Sequence, residues 1–123
     1  MIRSLYHFTR VGESDAARGL GATHAAEIGF VFGQPPSAGS RYGSTPYDAR
    51  LAEAMSDYWV AFATSGDPNG APSAGKWPRW PAYDGRAGTY MELGPEIAAR
   101  RGQRKTEYDV LDALARSRGE VRP

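Results

Sequence analysis

Apolar side chains recur at every third or fourth position over about residues 46–65, and this spacing predicts a long helix with one apolar stripe. The stripe consists of Tyr47, Leu51, Ala54, Met55, Tyr58 and Phe62. Thr45 is suited to cap this helix, Pro46 fits its first turn and Gly66 can end it. Asp48 follows the cap by three residues, where an acidic side chain supports a helix start.

Two shorter segments are rich in residues that favour strands, at about 4–10 and about 88–93. The sequence Asp67-Pro68-Asn69-Gly70 predicts a tight turn directly after the long helix. A second helix is predicted over about 107–118, with Thr106 as its cap. The apolar face of this second helix consists of Tyr108, Leu111, Leu114 and Ala115.

The segment between the first strand and the long helix contains many small residues. Residues 11–23 are read as a loop, and residues 24–33 as a short helical turn that leads into an apolar patch. The patch consists of Ile28, Phe30, Val31 and Phe32, and we expect it to be buried. The following residues, 34–46, are loop-like in composition as well.

These elements give the order strand, long loop, helix, aromatic loop, strand, helix, which indicates a mixed α/β chain. Residues 95–105 fit no element clearly. An independent sheet generally needs three or more strands or a covering layer, so two separated strands indicate part of something larger. We therefore interpret residues 1–123 as one α/β segment that is incomplete as a sheet.

Composition argues against several kinds of partner and chemistry. The net charge of +1 gives no electrostatic reason to expect a nucleic acid or an anionic membrane as partner. The chain has no cysteine, which excludes disulfides, thiolate catalysis and cysteine-bound zinc. No apolar run approaches a membrane span, and the N-terminal MIRSLYHFTRV does not read as a signal peptide. We therefore expect a cytoplasmic protein.

Ser14 and His24 are the candidate nucleophile and base. The segment Gly12-Glu13-Ser14-Asp15-Ala16 matches the start of the nucleophile elbow G-x-S-x-G but lacks its final glycine. We interpret Ser14 as a solvated loop residue for that reason. His24 lies among small residues in a long loop, where catalytic groups concentrate and where its ring has room to reach a cleft. Glu27, three residues on, can brace this loop if the turn is helical.

The other candidates have structural interpretations. His7 lies inside the first predicted strand. Trp77 and Trp80, each followed by proline, suit a platform for a peptide or a sugar, but we favour a role in covering an edge of the core from outside. The basic run of Arg100, Arg101, Arg104 and Lys105 is interpreted as a solvated face. Two histidines without cysteine leave no cluster of metal-ligand spacing, and no glycine-rich phosphate loop is present.

The segment GATHAAEIGFVFG, residues 21–33, resembles the catalytic-histidine segment of the type-B carboxylesterases, the family that also holds the cholinesterases. The pattern there is roughly G-x-x-H-x-x-E-[IL]-x-[FY]-[VI]-F-G. The matching residues are Gly21, His24, Glu27, Ile28, Phe30, Val31, Phe32 and Gly33. The resemblance continues in order over about residues 4–118, through the first strand, the long helix and its turn, a W-P-x-[WY] loop and the last strand. These segments hold Tyr6-His7-Phe8, Met55, Tyr58-Trp59, Phe62-Ala63, Thr64 to Asn69, Trp77 to Tyr83 and Tyr90 to Leu93.

The resemblance implies the C-terminal portion of an α/β-hydrolase fold and hydrolysis of a carboxylic ester without a cofactor. It implies that His24 is the general base of a Ser–Glu/Asp–His triad, which takes the serine proton and returns it to the leaving alcohol. Glu27 would brace the loop, because the triad acid precedes the histidine in chain order. The G-E-S-A-G elbow, the oxyanion loop and the acid segment of the family have no match in these residues. Ser14 lies in the wrong part of the fold to replace the elbow.

Two functions stay open at this point. In the first, the chain is an esterase fragment that supplies only the general base, so that the isolated chain is inactive or nearly so. Its substrate in the parent enzyme is a small-molecule carboxylic ester. In the second, the chain is a non-catalytic complementation or interaction module that pairs with a separate N-terminal α/β-hydrolase piece or with itself. A self-sufficient Ser14–His24 hydrolase is the least favoured reading.

Overall fold

The computed structural model describes residues 3–119, which contain three strands and four helices. The order is β1 (Tyr6–Phe8), α1 (Glu13–Ala17), α2 (Ile28–Val31), α3 (Asp48–Ser65), β2 (Thr89–Leu93), β3 (Ile97–Arg101) and α4 (Lys105–Ser117). The mixed α/β character predicted from the sequence is confirmed. The terminal residues 1–2 and 120–123 of the predicted single segment lie outside the described residues. Among residues 3–119, none of the helices combines the length and apolarity that crossing a membrane requires.

The three strands form one mixed sheet with β2 in the middle. Strand β1 runs parallel to β2, with Tyr6 opposite Met91, and β3 runs antiparallel to β2, with Leu93 opposite Ile97. Strand β3 lies in the stretch 95–105, which the sequence did not assign, so the expectation of only two strands is wrong. A tight reversal makes this pairing local, since the Gly94 N–H donates to the Glu96 carbonyl at 3.1 Å.

Strand β1 is shorter than the predicted strand at 4–10, but its pairing extends past its ends. The Met91 N–H donates to the Leu5 carbonyl and the Thr9 N–H donates to the Leu93 carbonyl, both at 2.9 Å. The side chains alternate as a strand requires, because Phe8 is buried while His7 is exposed. The placement of His7 in this strand is therefore confirmed, and its ring meets that of Tyr90 edge-on at 6.2 Å.

Helix α3 forms the core together with one face of the sheet. Four residues of the predicted stripe are at most 1% exposed: Leu51, Ala54, Met55 and Tyr58. Phe62 was expected to continue the stripe, but it is 48% exposed. Ala61 is buried instead. Ala61 and Phe62 follow Tyr58 by three and four residues, so both positions lie on the face of the helix that Tyr58 occupies.

The start of α3 differs from the predicted cap, while its end agrees. The helix begins at Asp48 with Tyr47 in the cap position and no side-chain cap. Thr45 acts in the reverse sense, because its N–H and hydroxyl both donate to the Asp48 carboxylate, at 2.8 and 2.6 Å. Gly66 ends the helix with φ of 76°, the left-handed conformation that glycine adopts without strain.

The stretch 11–33 contains two short helices, so the predicted loop over 11–23 is wrong at α1. The N–H groups of Asp15 and Ala16 both donate to the Gly12 carbonyl, which closes the first turn of α1. Helix α2 packs against α3 and exposes much of the apolar patch: Phe30 is fully buried, but Ile28 and Phe32 are 52% and 74% exposed. Successive residues of a helix point about 100° apart, so only one face of a four-residue helix packs.

Helix α4 begins two residues before the predicted helix and buries none of its residues. Arg104, in the left-handed conformation, precedes it, so Thr106 is not its cap. The predicted apolar face is present but uncovered among residues 3–119, with Tyr108, Leu111 and Leu114 between 44% and 57% exposed. An ion pair within the helix, Lys105 to Asp109 at 2.5 Å, supports it from the polar side.

Candidate active site

A cavity of about 310 Å³ opens beside the histidine segment. The run from Gly21 to Ala26 forms one wall, and the other walls come from the segment that leads into α1, from α2 and from the loop after α2. The remaining lining residues are Arg10, Val11, Gly12, Asp15, Gly29, Phe30, Gln34, Pro36, Ser40 and Tyr42. His24 lines this cavity and is exposed, so its ring is accessible to a reacting group from outside.

The backbone turns sharply immediately after His24. Ala25 has φ of 63°, a left-handed conformation that costs a residue with a side chain about 1–2 kcal/mol. The turn is closed by two hydrogen bonds, from the Ala26 N–H to the Thr23 carbonyl at 3.2 Å and from the Ile28 N–H to the Ala25 carbonyl at 3.3 Å. The histidine therefore stands at a strained reversal that leads directly into α2, a position typical of functional side chains.

Glu27 is half-buried and contacts the sheet. The Tyr6 hydroxyl approaches the Glu27 carboxylate at 3.5 Å, a long and therefore weak hydrogen bond. Burial and the neighbouring Glu27 charge both raise the pKa of Tyr6, so that the phenol stays protonated and can act as the donor. This contact joins the turn after His24 to β1. It is consistent with the bracing role predicted for Glu27, although its distance gives it little strength.

Ser14 lies in α1 and is exposed, and it is not among the residues that line the cavity. Its hydroxyl donates to the Arg41 carbonyl at 3.0 Å. Among the described residues, the structure records no hydrogen bond between Ser14 and His24. The hydroxyl thus fastens α1 to the neighbouring loop, where the sequence suggested only a solvated loop residue.

A buried ion pair joins Arg10, which lines the cavity, to Asp48, and neither residue was predicted from the sequence as part of a functional site. The two side chains are 5% and 6% exposed, and the guanidinium donates to both carboxylate oxygens, at 2.9 and 2.7 Å. Burial would raise the pKa of Asp48, but the hydrogen bonds from Arg10 and Thr45 outweigh it and lower the pKa. An arginine after a strand and an aspartate in the first turn of a helix are both ordinary, so no local signal pairs them.

The two tryptophans of the aromatic loop have different positions. Trp80 is 4% exposed and packs edge-on against Tyr58 at 5.1 Å, so the expectation that it covers the core from outside is wrong. Its indole N–H donates to the Leu5 carbonyl at 3.1 Å, which explains how a polar group is accommodated there. Trp77 is half-buried and donates to Asp57 at 2.7 Å.

The residues of the basic run, Arg100, Arg101, Arg104 and Lys105, are all exposed, as predicted. Arg100 is engaged by two carboxylates, those of Glu92 at 2.7 Å and Glu96 at 2.5 Å. Over residues 3–119, no group of three or more histidine, cysteine, aspartate or glutamate side chains is placed to hold a metal ion.

Comparison with known proteins relates the sequence of this chain to the carboxylesterases. A sequence model of the Carboxylesterase family matches residues 5–111 of the chain. Bovine (Bos taurus) carboxylesterase 4A is 45% identical over 73 residues, which are 59% of this chain and 12% of that protein. The medium-chain fatty acyl-CoA hydrolase precursor of Anas platyrhynchos is 38% identical over 89 residues, which are 71% and 14%. Human (Homo sapiens) bile salt-activated lipase is 33% identical over 92 residues, which are 75% and 12%. The matched residues thus span less than one sixth of the length of these relatives.

Proposed function

The chain belongs to the carboxylesterase family, and from that premise we propose that it contributes His24 as the general base for hydrolysis of a carboxylic ester. In this reaction the His24 imidazole accepts the proton of a serine hydroxyl as the serine oxygen bonds to the ester carbonyl carbon. The imidazolium then gives that proton to the alcohol that leaves. The acyl-serine that remains is hydrolysed by water with the same base.

The single observation that carries this proposal is the position of His24 within the matched range. The imidazole is exposed at a strained turn and lines a cavity of about 310 Å³. A histidine kept only for packing would be expected in the core, as Phe30 is, and not at a solvent-accessible cavity wall.

The nucleophile, the triad acid and the oxyanion donors are proposed to lie on residues outside this chain. Two observations support this part of the proposal. The Ser14 hydroxyl is engaged by the Arg41 carbonyl and lies outside the cavity lining, and Glu27 faces Tyr6. Each missing oxyanion donor lowers the rate of ester hydrolysis about 10²–10³-fold relative to a complete site. We therefore expect the isolated chain to hydrolyse esters no faster than free imidazole does.

The proposed partner is a separate piece that carries the rest of an α/β-hydrolase sheet. Strand β1 lies at the edge of the described sheet, and such an edge offers unpaired backbone groups to another strand. A small-molecule carboxylic ester is the proposed substrate of the assembled site, and the cytoplasm its proposed compartment. Neither a nucleic acid nor a membrane is a proposed partner, because the net charge of +1 favours neither.

A second candidate function is a non-catalytic interaction module. The observation that favours it is the uncovered apolar face of α4, since large exposed apolar patches mark interaction sites. Coding sequence upstream of Met1 discriminates between the two functions. A G-E-S-x-G elbow found there favours the esterase, and its absence favours the module.

The test is hydrolysis of a p-nitrophenyl short-chain ester near pH 8 by the purified chain, the His24→Ala variant and the His7→Ala variant, with free imidazole as reference. His7 is the matched control because it is the other histidine of the chain and is also exposed. We expect the hydrolysis rate of each protein, divided by its number of histidines, to equal that of free imidazole. Turnover well above imidazole that is lost only in His24→Ala would require a nucleophile within the chain and would refute the proposed division of the triad.

A further inference from the structure

Two stretches of chain are in close contact in the wall of the cavity that His24 lines. The Arg10 guanidinium donates to the Tyr42 carbonyl at 3.4 Å and to the Gly43 carbonyl at 2.8 Å. A methyl group placed on Gly12 would lie 1.6 Å from the Tyr42 carbonyl oxygen, so the two backbones touch at this point. The segment between β1 and α1 and the loop before α3 therefore meet at Gly12 without room for a side chain there.

Asp48 connects this contact to helix α3. Its carboxylate accepts two hydrogen bonds from Arg10 and two from Thr45, and all four are 2.6–2.9 Å long. Because Asp48 is the first residue of α3, the loop that ends at Thr45 is fixed to the start of the longest helix.

Arg10 also reaches the helix that follows the histidine. The guanidinium carbon lies 5.5 Å from the centre of the Phe30 ring, within the range of a cation–π contact. Phe30 belongs to α2, which begins four residues after His24, and the ring is fully buried against Phe8 at 5.4 Å. The Arg10 guanidinium thus contacts the loop before α3, the first residue of α3, and α2, the helix that follows the histidine turn.

We propose that Arg10 and Asp48 are positioning residues for His24, because their hydrogen-bonded pair fixes the loop wall of the cavity relative to the helix that follows the histidine. The proposal rests on the role of His24 given above. It assigns function to the planar fork of the arginine as well as to its charge. Only a guanidinium can bond a carboxylate through two nitrogens and still donate to the Gly43 carbonyl.

The test measures backbone order by ¹⁵N relaxation in the full chain. The double variant Arg10→Met/Asp48→Leu removes both charges of the pair. A single substitution would leave one buried charge without its partner and so destabilise the whole fold. We expect the order parameters of His24, Ala25 and Gly43 to fall from about 0.85, typical of a rigid backbone, to below about 0.6. The values over β2 should not change. A purely structural role would lower the stability and leave the order at His24 in the folded state as it was, which would overturn the proposal.

Two further variants keep the test decisive. Arg10→Lys retains the charge and loses the planar fork of the guanidinium, so it should show the same loss of backbone order at His24 even if the double variant fails to fold. Unchanged order at His24 in this variant would refute the positioning role.

Arg18→Met is the matched control, because Arg18 also pairs with an aspartate that lines the cavity, Asp15, but is 65% exposed. It should leave the order at His24 unchanged, and an equal loss there would show that any local ion pair has this effect. The readout needs no ester hydrolysis, so failure of this proposal and failure of the proposed function are separate results.

Discussion

Phe30 and Phe32 lie two residues apart in the same motif, and the structure predicts very different costs for truncating them. The sequence gives both rings equal reason to be buried, yet Phe30 is 0% exposed and Phe32 is 74% exposed. Phe30→Ala removes a ring that packs 5.4 Å from Phe8 and lies under the Arg10 guanidinium. Loss of a buried phenylalanine costs about 3–5 kcal/mol of unfolding free energy through lost transfer energy and the cavity left behind.

The corresponding cost at Phe32 follows from its exposed area. A phenylalanine side chain buries about 200 Å² when fully covered, worth about 5 kcal/mol at about 25 cal/mol per Å². With about a quarter of that area covered, Phe32→Ala should cost about 1 kcal/mol. The expected difference of at least about 2 kcal/mol is a factor of roughly 30 in the unfolding equilibrium constant.

The unfolding free energy of both variants is measured by urea unfolding followed by tryptophan fluorescence. An unchanged slope of this free energy against urea concentration shows that the same surface is exposed on unfolding. Equal costs at the two positions would refute the arrangement in which α2 buries Phe30 alone. A cost at Phe32 that grows with protein concentration would show instead that a second copy of the chain covers this ring.

Three further predictions concern other parts of the fold. The pKa of Asp48 is lower in the folded chain than its usual 3.8, so its stabilisation is complete above that value and is lost as the pH falls through the folded pKa. Asp48→Asn should therefore flatten the fall in unfolding free energy below about pH 4, measured by urea titrations at several pH values, and an unchanged slope would contradict this. Ala25→Gly should raise the unfolding free energy by about 0.5–1 kcal/mol, and the urea midpoint with it, because it relieves a φ of 63°, whereas Gly33→Ala, at φ of 67°, should lower both; a lower midpoint in Ala25→Gly would argue against strain at the turn. Trp80→Phe removes the indole donor from the Leu5 carbonyl, which still accepts from the Met91 N–H, so the lost hydrogen bond should cost about 0.5–1.5 kcal/mol in the same assay; a cost below about 0.5 kcal/mol would show that this hydrogen bond contributes little.

The sequence predicted the elements whose evidence is local. The spacing of Leu51, Met55 and Tyr58 located α3, and Gly66 located its end, because helix periodicity and a left-handed cap are written in neighbouring residues. Membership of the esterase family, expected from the histidine segment, was confirmed over residues 5–111.

Features that depend on distant contacts could not be predicted in the same way. Strand β3 has the sequence Ile-Ala-Ala-Arg-Arg, which has no strong strand propensity and is a strand because β2 pairs with it along its length. Arg10 and Asp48 are 38 residues apart in the sequence, and no pattern in the residues around either one predicts that they pair. Phe62 followed the helical period correctly, but the burial of its position depends on what covers the end of α3.

A chimeric enzyme can distinguish a general base at His24 from a histidine that takes no part in the reaction. Residues 5–111 of this chain, the range that the Carboxylesterase family model matches, replace the corresponding part of the same family region in bovine carboxylesterase 4A, which is 45% identical to this chain over 73 residues. The kcat for a p-nitrophenyl ester is then compared between this chimera and its His24→Gln variant, which keeps a polar side chain of similar size. We expect the substitution to lower kcat by at least about 10²-fold, the usual contribution of a positioned base. An active chimera whose kcat is the same with glutamine in place of His24 would contradict it.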